Sequence, residues 1–183
     1  DATTGKTAFL HGPSGGNPGG KEVATLMKAS VDTINGLFSG LGLDTKVSSF
    51  VGAYESSDKD RGGVYSGGVL SSGRGFGESG KGSNYEGTLY ELTSARSLDT
   101  QTALENFATD SLQVVIQAWQ AEIRTFPEAI AAELRDVNAE DLTQEQAQAL
   151  IAKVSGMVAA FKQFSQVAIA LPFEALKDRT LDW

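Results

Sequence analysis

Residues 104–123, LENFATDSLQVVIQAWQAEI, are the stretch on which the fold depends most. Apolar residues recur there at every third or fourth position over about five helical turns, as on one face of an α-helix. The spacing therefore predicts a long amphipathic helix in the second half of the chain. Its apolar stripe consists of Leu104, Phe107, Ala108, Leu112, Val115, Ile116, Trp119 and Ile123.

Cap and turn signals around this stretch predict where the neighbouring helices begin. Thr102 followed by Glu105 has the pattern of a capping box, with a start nearer Asp99 as the alternative. Pro127 suits the first turn of a short helix, because proline is tolerated where the backbone N–H has no helical partner. The inward positions of that short helix are Ile130 and Leu134.

The last helix is predicted to open at Thr143, where Gln146 completes a second capping box. It extends to Val167, and Pro172 is predicted to end it or to follow its end closely, since proline disrupts a helix interior. Its apolar positions are Ala147, Leu150, Ile151, Val154, Val158, Phe161 and Phe164.

Glycine separates the two halves of the chain, because 20 of the 21 glycines lie before Leu98. The segment HGPSGGNPGG at residues 11–20 is too rich in glycine and proline for regular structure, so residues 1–19 are predicted to form a flexible tether. A helix follows, and Gly42 is its predicted stop. The apolar face of that helix consists of Val23, Leu26, Met27, Ile34, Leu37, Phe38 and Leu41.

Three segments between residues 46 and 92 contain β-branched and aromatic residues without helical periodicity, so they are predicted strands. In the first, alternation places Phe50 and Tyr54 on one face and Val47 and Val51 on the other. The predicted strands are Lys46–Glu55, Val64–Leu70 and Tyr85–Leu92, with a flexible loop predicted at Ser71–Asn84.

These elements predict an α+β fold, in which a small antiparallel sheet with a Gly-rich hairpin region packs with about four to five helices. After the tether, residues 20–180 are expected to form a single domain. Residues 20–97 supply a helix and the Gly-rich β region, and residues 98–180 supply an acidic helical region.

Composition excludes or disfavours several classes of function for this chain of 183 residues. Without cysteine it has no disulfide, thiolate nucleophile or cysteine-based metal site. Its net charge of −8 disfavours nucleic acid and anionic membrane surfaces as partners, because both bind clustered Lys and Arg. The longest apolar stretches, residues 157–161 and 167–171, are too short for a stable membrane span. A start without Met is what an excised piece of a larger protein, or a processed chain, would show.

Residues that commonly carry catalysis are sparse. The single histidine, His11, lies in the predicted tether, whereas catalysis requires groups held in a fixed geometry. One histidine without cysteine predicts no zinc site. Trp119 belongs to the apolar stripe, so it is interpreted as core and not as a sugar-stacking platform. Carboxylate pairs that could hydrolyse a glycoside are Glu86 with Glu91 and Glu133 with Asp136, although acidic surface helices produce such pairs by default.

Three short patterns resemble ligand-binding motifs without completing them. GGNPGGKE at residues 15–22 has phosphate-loop spacing, but Glu22 replaces the required Ser or Thr. GFGESG at residues 75–80 fits the dinucleotide pattern, but a strand and not a helix is predicted after it. Asp58 and Asp60 begin like a calcium loop that has Val69 at its closing position. No cofactor and no metal ligand is therefore predicted, and the chain is not expected to be an enzyme.

The apolar C-terminal segment is the candidate partner interface. The apolar helix stripes of the chain exceed what one small core needs, so we expect the C-terminal segment to pack either against a partner or on the chain's own sheet. The candidate interface residues are Phe161, Phe164, Leu171, Phe173 and Leu176.

The C-terminal part resembles the far C-terminal region of phage tail tape-measure proteins. The long helix at residues 143–167 and the phrase ALPFEALKD at residues 170–178 carry the resemblance. The order of the pieces is similar too: a glycine-rich tether, a helix, FVGAY at residues 50–54, a glycine-rich hairpin region and acidic helices. The likeness spans roughly residues 20–180.

The resemblance implies a structural protein of a phage or prophage tail. It implies a place in the tail lumen or at the distal tip, contact with tail-tip ring or hub proteins, and the cytoplasm of the bacterial host during assembly. It also implies a small symmetric homo-oligomer, a trimer above all. Two other functions stay open: a carboxylate-based cell-wall glycan hydrolase, and a secreted or adhesive bacterial binding module.

Overall fold

The computed structural model describes the backbone of residues 20–51, 54–55, 62–77, 88–90 and 100–180, and the side chains of residues 25–50, 67–77 and 105–164. Within these ranges the chain forms four α-helices and a small antiparallel sheet, which confirms the α+β prediction. The predicted tether, residues 1–19, lies outside them. The elements are α1 (Gly20–Gly40), β1 (Val47–Val51), β2 (Tyr54–Glu55), β3 (Gly62–Leu70), β4 (Gly75–Gly77), β5 (Thr88–Tyr90), α2 (Thr100–Ala121), α3 (Glu128–Arg135) and α4 (Gln144–Thr180).

Helix α2 is the centre of the fold. Four consecutive residues, Gln113, Val114, Val115 and Ile116, are all buried. Consecutive helical residues point about 100° apart, so burial of four in a row means that the helix is covered on every side. Helices α1, α3 and α4 and strands β3 and β4 all contact it. The predicted stripe is confirmed at its centre, but the buried surface is wider than a stripe.

The start of α2 agrees with the predicted alternative near Asp99 and not with the capping box at Thr102, and its end comes two residues before Ile123. The helix begins at Thr100, so Thr102 lies inside its first turn and cannot be the cap of a capping box. It ends at Ala121, and Ile123 belongs to a separate 3-10 turn, Ile123–Thr125. Apolar periodicity marks the side of the helix that is buried, and the helical backbone extends or stops independently of it.

Helix α1 covers one side of α2 and ends as the sequence predicts. Gly42 has a φ of 72° and donates its backbone N–H to the Ser39 carbonyl oxygen, 3.0 Å away. The Leu43 N–H donates to the Phe38 carbonyl oxygen at 2.8 Å. These two bonds form a Schellman motif, which satisfies carbonyl groups that the end of a helix leaves open. The described buried residues of α1 are Met27, Ser30, Val31, Ile34, Leu37 and Phe38.

Strand β3 is the centre of the sheet and pairs with all four other strands, each antiparallel. Strands β1 and β4 flank its second half, while β2 and β5 pair with its first half. The backbone N–H of Val47 donates to the Asn35 side-chain oxygen at 2.8 Å, which ties the start of β1 to α1.

The predicted alternation along β1 is wrong, because Val47 and Phe50 are both buried in the core. The register shifts between Val47 and Ser49, so Ser48 is an extra residue opposite β3. Such a bulge reverses the alternation of faces beyond it. The Ser48 hydroxyl donates to the Val69 carbonyl oxygen at 2.8 Å and so occupies the irregularity.

Part of the predicted flexible loop Ser71–Asn84 is strand β4, with Phe76 buried at its centre. Phe50 and Phe76 are the cross-strand partners of Gly68 on its two sides, and their ring centroids lie 6.1 Å apart. A Cβ atom at Gly68 would lie 2.1 Å from the Ser49 carbonyl oxygen and 3.0 Å from the Phe76 ring. The missing side chain lets the two rings meet, and their burial fixes this segment as a strand.

The predicted short helix is confirmed as α3, with Ile130 and Leu134 buried and Pro127 immediately before the first turn. Two glutamines of α2 hold the chain between α3 and α4 by donating from their amide nitrogens to backbone carbonyl oxygens. The acceptors are Glu140 and Leu142 for Gln113, at 3.2 and 2.9 Å, and Leu134 and Val137 for Gln120, both at 2.8 Å.

Helix α4 opens at the predicted capping box. The Gln146 N–H donates to the Thr143 hydroxyl oxygen at 3.2 Å, and the Thr143 N–H donates to the Gln146 side-chain oxygen at 3.0 Å. The predicted end at Pro172 is wrong, because the helix continues to Thr180. Proline removes one helical hydrogen bond, at a cost of about 3 kcal/mol. The helix-forming residues on both sides of Pro172 keep the backbone helical across it.

We expect the Gly68→Ala substitution to lower the free energy of unfolding by about 2–3 kcal/mol, as overpacking of a tight site does. Gly156→Ala is the control: it lies in α4 with nothing within 4 Å of a new Cβ. This control is expected to raise stability by about 0.5–1 kcal/mol. Urea denaturation of both variants measures the difference, and an unchanged midpoint for Gly68→Ala would contradict the close approach.

We expect Gln113→Leu to lower the free energy of unfolding by about 1–3 kcal/mol, because it leaves two carbonyl groups without their donor. Gln117→Leu is the matched change on the same helix, since its amide makes only a 3.5 Å contact with Glu140. Its effect should stay within about 0.5 kcal/mol. If thermal and urea unfolding show equal losses of stability for the two variants, the Gln113 hydrogen bonds contribute no more to stability than the Gln117 contact.

Candidate functional site

Of the two carboxylate pairs suggested by the sequence, Glu133 with Asp136 lies in the described part of the chain. Glu133 is held by Lys153, whose Nζ lies 2.7 Å from its Oε2, and Asp136 is exposed. The other predicted pair, Glu86 with Glu91, lies outside the described residues, as do His11, Asp58 and Asp60. Trp119 is fully buried, which confirms that it belongs to the core.

The dinucleotide pattern occurs in a different structural context from a nucleotide-binding loop. In the GFGESG pattern, Gly75–Gly77 form strand β4 and pair antiparallel with β3. A dinucleotide fingerprint instead turns from a strand into a helix. In the phosphate-loop pattern, Gly20 to Glu22 already lie in the first turn of α1, and the residues before Gly20 lie outside the described part of the chain.

Glu122 is the buried charged residue that sequence reasoning missed. It lies just after α2 and accepts a hydrogen bond from the Ser72 hydroxyl, in the turn between β3 and β4. Arg74 from the same turn places its Nε 3.9 Å from the carboxylate, and its Nη1 donates to the Ala121 carbonyl oxygen at 2.6 Å. The cluster fastens the turn to the end of α2. No sequence spacing signalled it, because the partners lie 50 residues apart.

A second ion pair connects the two ends of α3 on the surface. Arg135 donates two hydrogen bonds to Glu128, at 3.0 and 2.9 Å. The hydrogen bonds are the larger cause, and the charge of Arg135 the smaller one, of a lowered pKa at Glu128. The same hydrogen bonds, and to a smaller extent the charge of Glu128, raise the pKa of Arg135. The pair therefore stabilises the fold at a pH above the ordinary pKa of a glutamate. This stabilisation is lost as the pH falls through the lowered pKa of Glu128. Both groups are exposed, so the pair contributes little.

The distinct surface feature of the described chain is the second half of α4. The first half packs on the body through Ala147, Val154 and Val158. At Val158 the last turn of α1 comes so close that a Cβ on Gly40 would lie 2.5 Å from its Cγ1. From there to residue 164 every side chain is classed as exposed. We call residues 159–180 the distal half of α4.

Among the described side chains, two large apolar ones are exposed, and both lie in this part of α4. Phe161 is exposed over 39% of its surface and Phe164 over 71%. Both are members of the predicted interface, and Phe164 is the one with most of its surface exposed. At about 1.5 Å per residue, the distal half of α4 is about 33 Å long.

The five predicted interface residues do not share one face of this helix. At about 100° per residue, Phe161, Phe164 and Leu171 fall within about 80° of one another, and we call this side face one. Phe173 falls about 160° and Leu176 about 100° away from the centre of face one, and we call their side face two. The prediction missed this division because it took α4 to stop before or at Pro172.

Within the described residues, no cluster of three or more candidate metal-binding side chains occurs. In the same part of the chain, the helices include none that is long and apolar enough to cross a membrane. A comparison of the chain with protein-family models, with curated proteins and with solved structures finds no significant match.

Proposed function

We propose that this chain is a non-catalytic structural domain of a phage or prophage tail, which docks on tail-tip ring or hub proteins through the distal half of α4. The single observation that carries this proposal is the run of exposed helix that begins where α4 leaves the body, with Phe164 exposed over 71%. Exposed large apolar side chains that cluster on one element favour an interaction site.

Two further features support the proposal. The segment at residues 170–178 that carries the resemblance to tape-measure proteins belongs to this same helix. The described polar clusters also have structural roles: Glu122 holds the turn between β3 and β4, and Glu133 forms an ion pair with Lys153. Neither arrangement presents a free acid and base to a substrate.

We expect purified ring or hub proteins, encoded beside this chain, to bind it. Phe173 and Leu176 belong to the predicted interface and to the segment at residues 170–178 that carries the resemblance. Replacing face two by Phe173→Ser with Leu176→Ser should weaken binding at least about tenfold in interferometry, as loss of an apolar anchor does. Ala149→Ser with Ala152→Ser, on exposed positions of the packed half, is the matched control and should leave affinity unchanged.

The alternatives make different predictions for the same protein preparation. A glycan hydrolase would release reducing ends from purified peptidoglycan, and the proposed function requires none. A chain that binds neither ring nor hub protein, or whose face-two and control variants bind equally, would contradict the proposal.

A further inference from the structure

Helix α4 leaves the body at a contact with the last turn of α1. Val158 is the last of the described α4 residues whose side chain is buried. A Cβ atom on Gly40 would lie 2.5 Å from the Val158 Cγ1 atom, whereas carbon atoms in ordinary contact are about 3.5–4.0 Å apart. The Val158 methyl group therefore occupies the space that any side chain at position 40 would need. We call this space beside Gly40 the Gly40 notch.

The α1 side of the notch is fixed to the body. Phe38 is fully buried, and its ring centroid lies 6.1 Å from that of Phe126. One turn earlier, the Asn35 side chain accepts a hydrogen bond from the backbone N–H of Val47, which connects α1 to the sheet. The Schellman motif holds the backbone directly after Gly40. The end of α1 is therefore a wall that does not give way easily to a larger side chain at position 40.

The Val158 side chain cannot turn away from a larger neighbour at low cost. In a helix, a β-branched side chain has one strongly preferred rotamer, because the others crowd the preceding turn. A methyl group on residue 40 would therefore displace the backbone of α4 at Val158 and not only the side chain.

The part of α4 before the notch has anchors of its own. Val154 is fully buried, and Lys153 places its Nζ 2.7 Å from the Glu133 Oε2 atom of α3. Helix α4 contacts α2 and α3 as well as α1. These contacts hold the helix one turn before Val158, so the direction in which it continues depends on how Val158 sits against α1.

A straight helix converts a small displacement at the notch into a larger one farther along. Val158 lies about 6 Å beyond Val154 along the helix axis, and Gln166 lies about 18 Å beyond it. A displacement of about 1 Å at Val158 would restore an ordinary carbon–carbon contact at the notch. If the helix tilts about Val154, the same change moves Gln166 by about 3 Å. The direction of the distal half of α4 is therefore sensitive to this one contact.

We propose that the Gly40 notch positions the docking helix: by seating Val158, it fixes the direction in which the distal half of α4 leaves the body. A segment that is held in one direction loses less conformational freedom when it binds, which favours affinity. The role in docking to a ring or hub protein rests on the proposed function, whereas the direction of the helix is a property of the chain alone.

Distances between pairs of spin labels measure this direction in the full chain without a partner. The chain has no cysteine, so labels can be attached at introduced cysteines. Ala29→Cys on α1 and Ala132→Cys on α3, both at exposed positions, are the references, and Gln166→Cys reports on the distal half. Labelled chain is diluted with unlabelled chain, so that only distances within one molecule are measured.

Gly40→Ala should shift the distance from residue 166 to at least one reference by about 3 Å, while the distance between the two references stays unchanged. Gly36→Ala is the matched control, because it makes the same change one turn earlier on α1 with nothing within 4 Å of the new Cβ. This control should leave all three distances unchanged.

A second substitution separates positioning from general damage to the fold. The Val158 Cβ atom would lie 4.0 Å from a Cβ on residue 40, which is an ordinary contact. Val158→Ala removes the crowded Cγ1 atom, so its combination with Gly40→Ala should restore the distances of the unchanged chain.

The proposal is overturned if Gly40→Ala leaves the distances to residue 166 unchanged, if it alters the distance between the references, or if adding Val158→Ala restores nothing. A shift that the second substitution reverses supports the notch, even in a chain that binds no ring or hub protein. In that case the proposed function alone is overturned.

Discussion

The enclosure of α2 on every side is the constraint on which the rest of the structure depends. Four consecutive buried residues, from Gln113 to Ile116, leave no face of the helix in water over that turn. Each neighbouring element therefore covers part of α2, and the elements that contact it are helices α1, α3 and α4 and the β3–β4 hairpin. A chain of this size can bury most of its apolar surface, and here that burial is organised around one helix.

Enclosure also creates polar requirements, because a buried polar group needs a partner. Gln113 and Gln120 meet this need by donating to carbonyl groups in the connection between α3 and α4. Glu122 meets it by accepting from Ser72 in the β3–β4 turn. The bonds made by these three side chains therefore hold two irregular segments in place. The proposed function concerns the part of the chain beyond this core, the distal half of α4.

Sequence patterns predicted those features that depend on local geometry. The stop at Gly42, the capping box at Thr143 and the inward face of α3 follow from spacing along one helix, and the structure confirms them. The bulge at Ser48 and the burial of Phe76 over Gly68 were missed, because both arise from pairing between separate strands. The course of α4 past Pro172 was missed because a single residue type was given more weight than its helix-forming neighbours. The exposure of Phe161 and Phe164 depends on where α1 ends, which no pattern within α4 contains.

The central claim is that a body packed around α2 carries a distal half of α4 that only a partner covers. Hydrogen exchange of the full chain, alone and with a purified ring or hub protein, tests it most directly. Amides of α2 should exchange slowest in both samples, because they open only with the whole fold. Amides of residues 159–180 should exchange quickly in the chain alone and become protected when the ring or hub protein is added. Slow exchange of residues 159–180 in the chain alone, at the level of α2, would show that the chain's own body covers them and would contradict the claim.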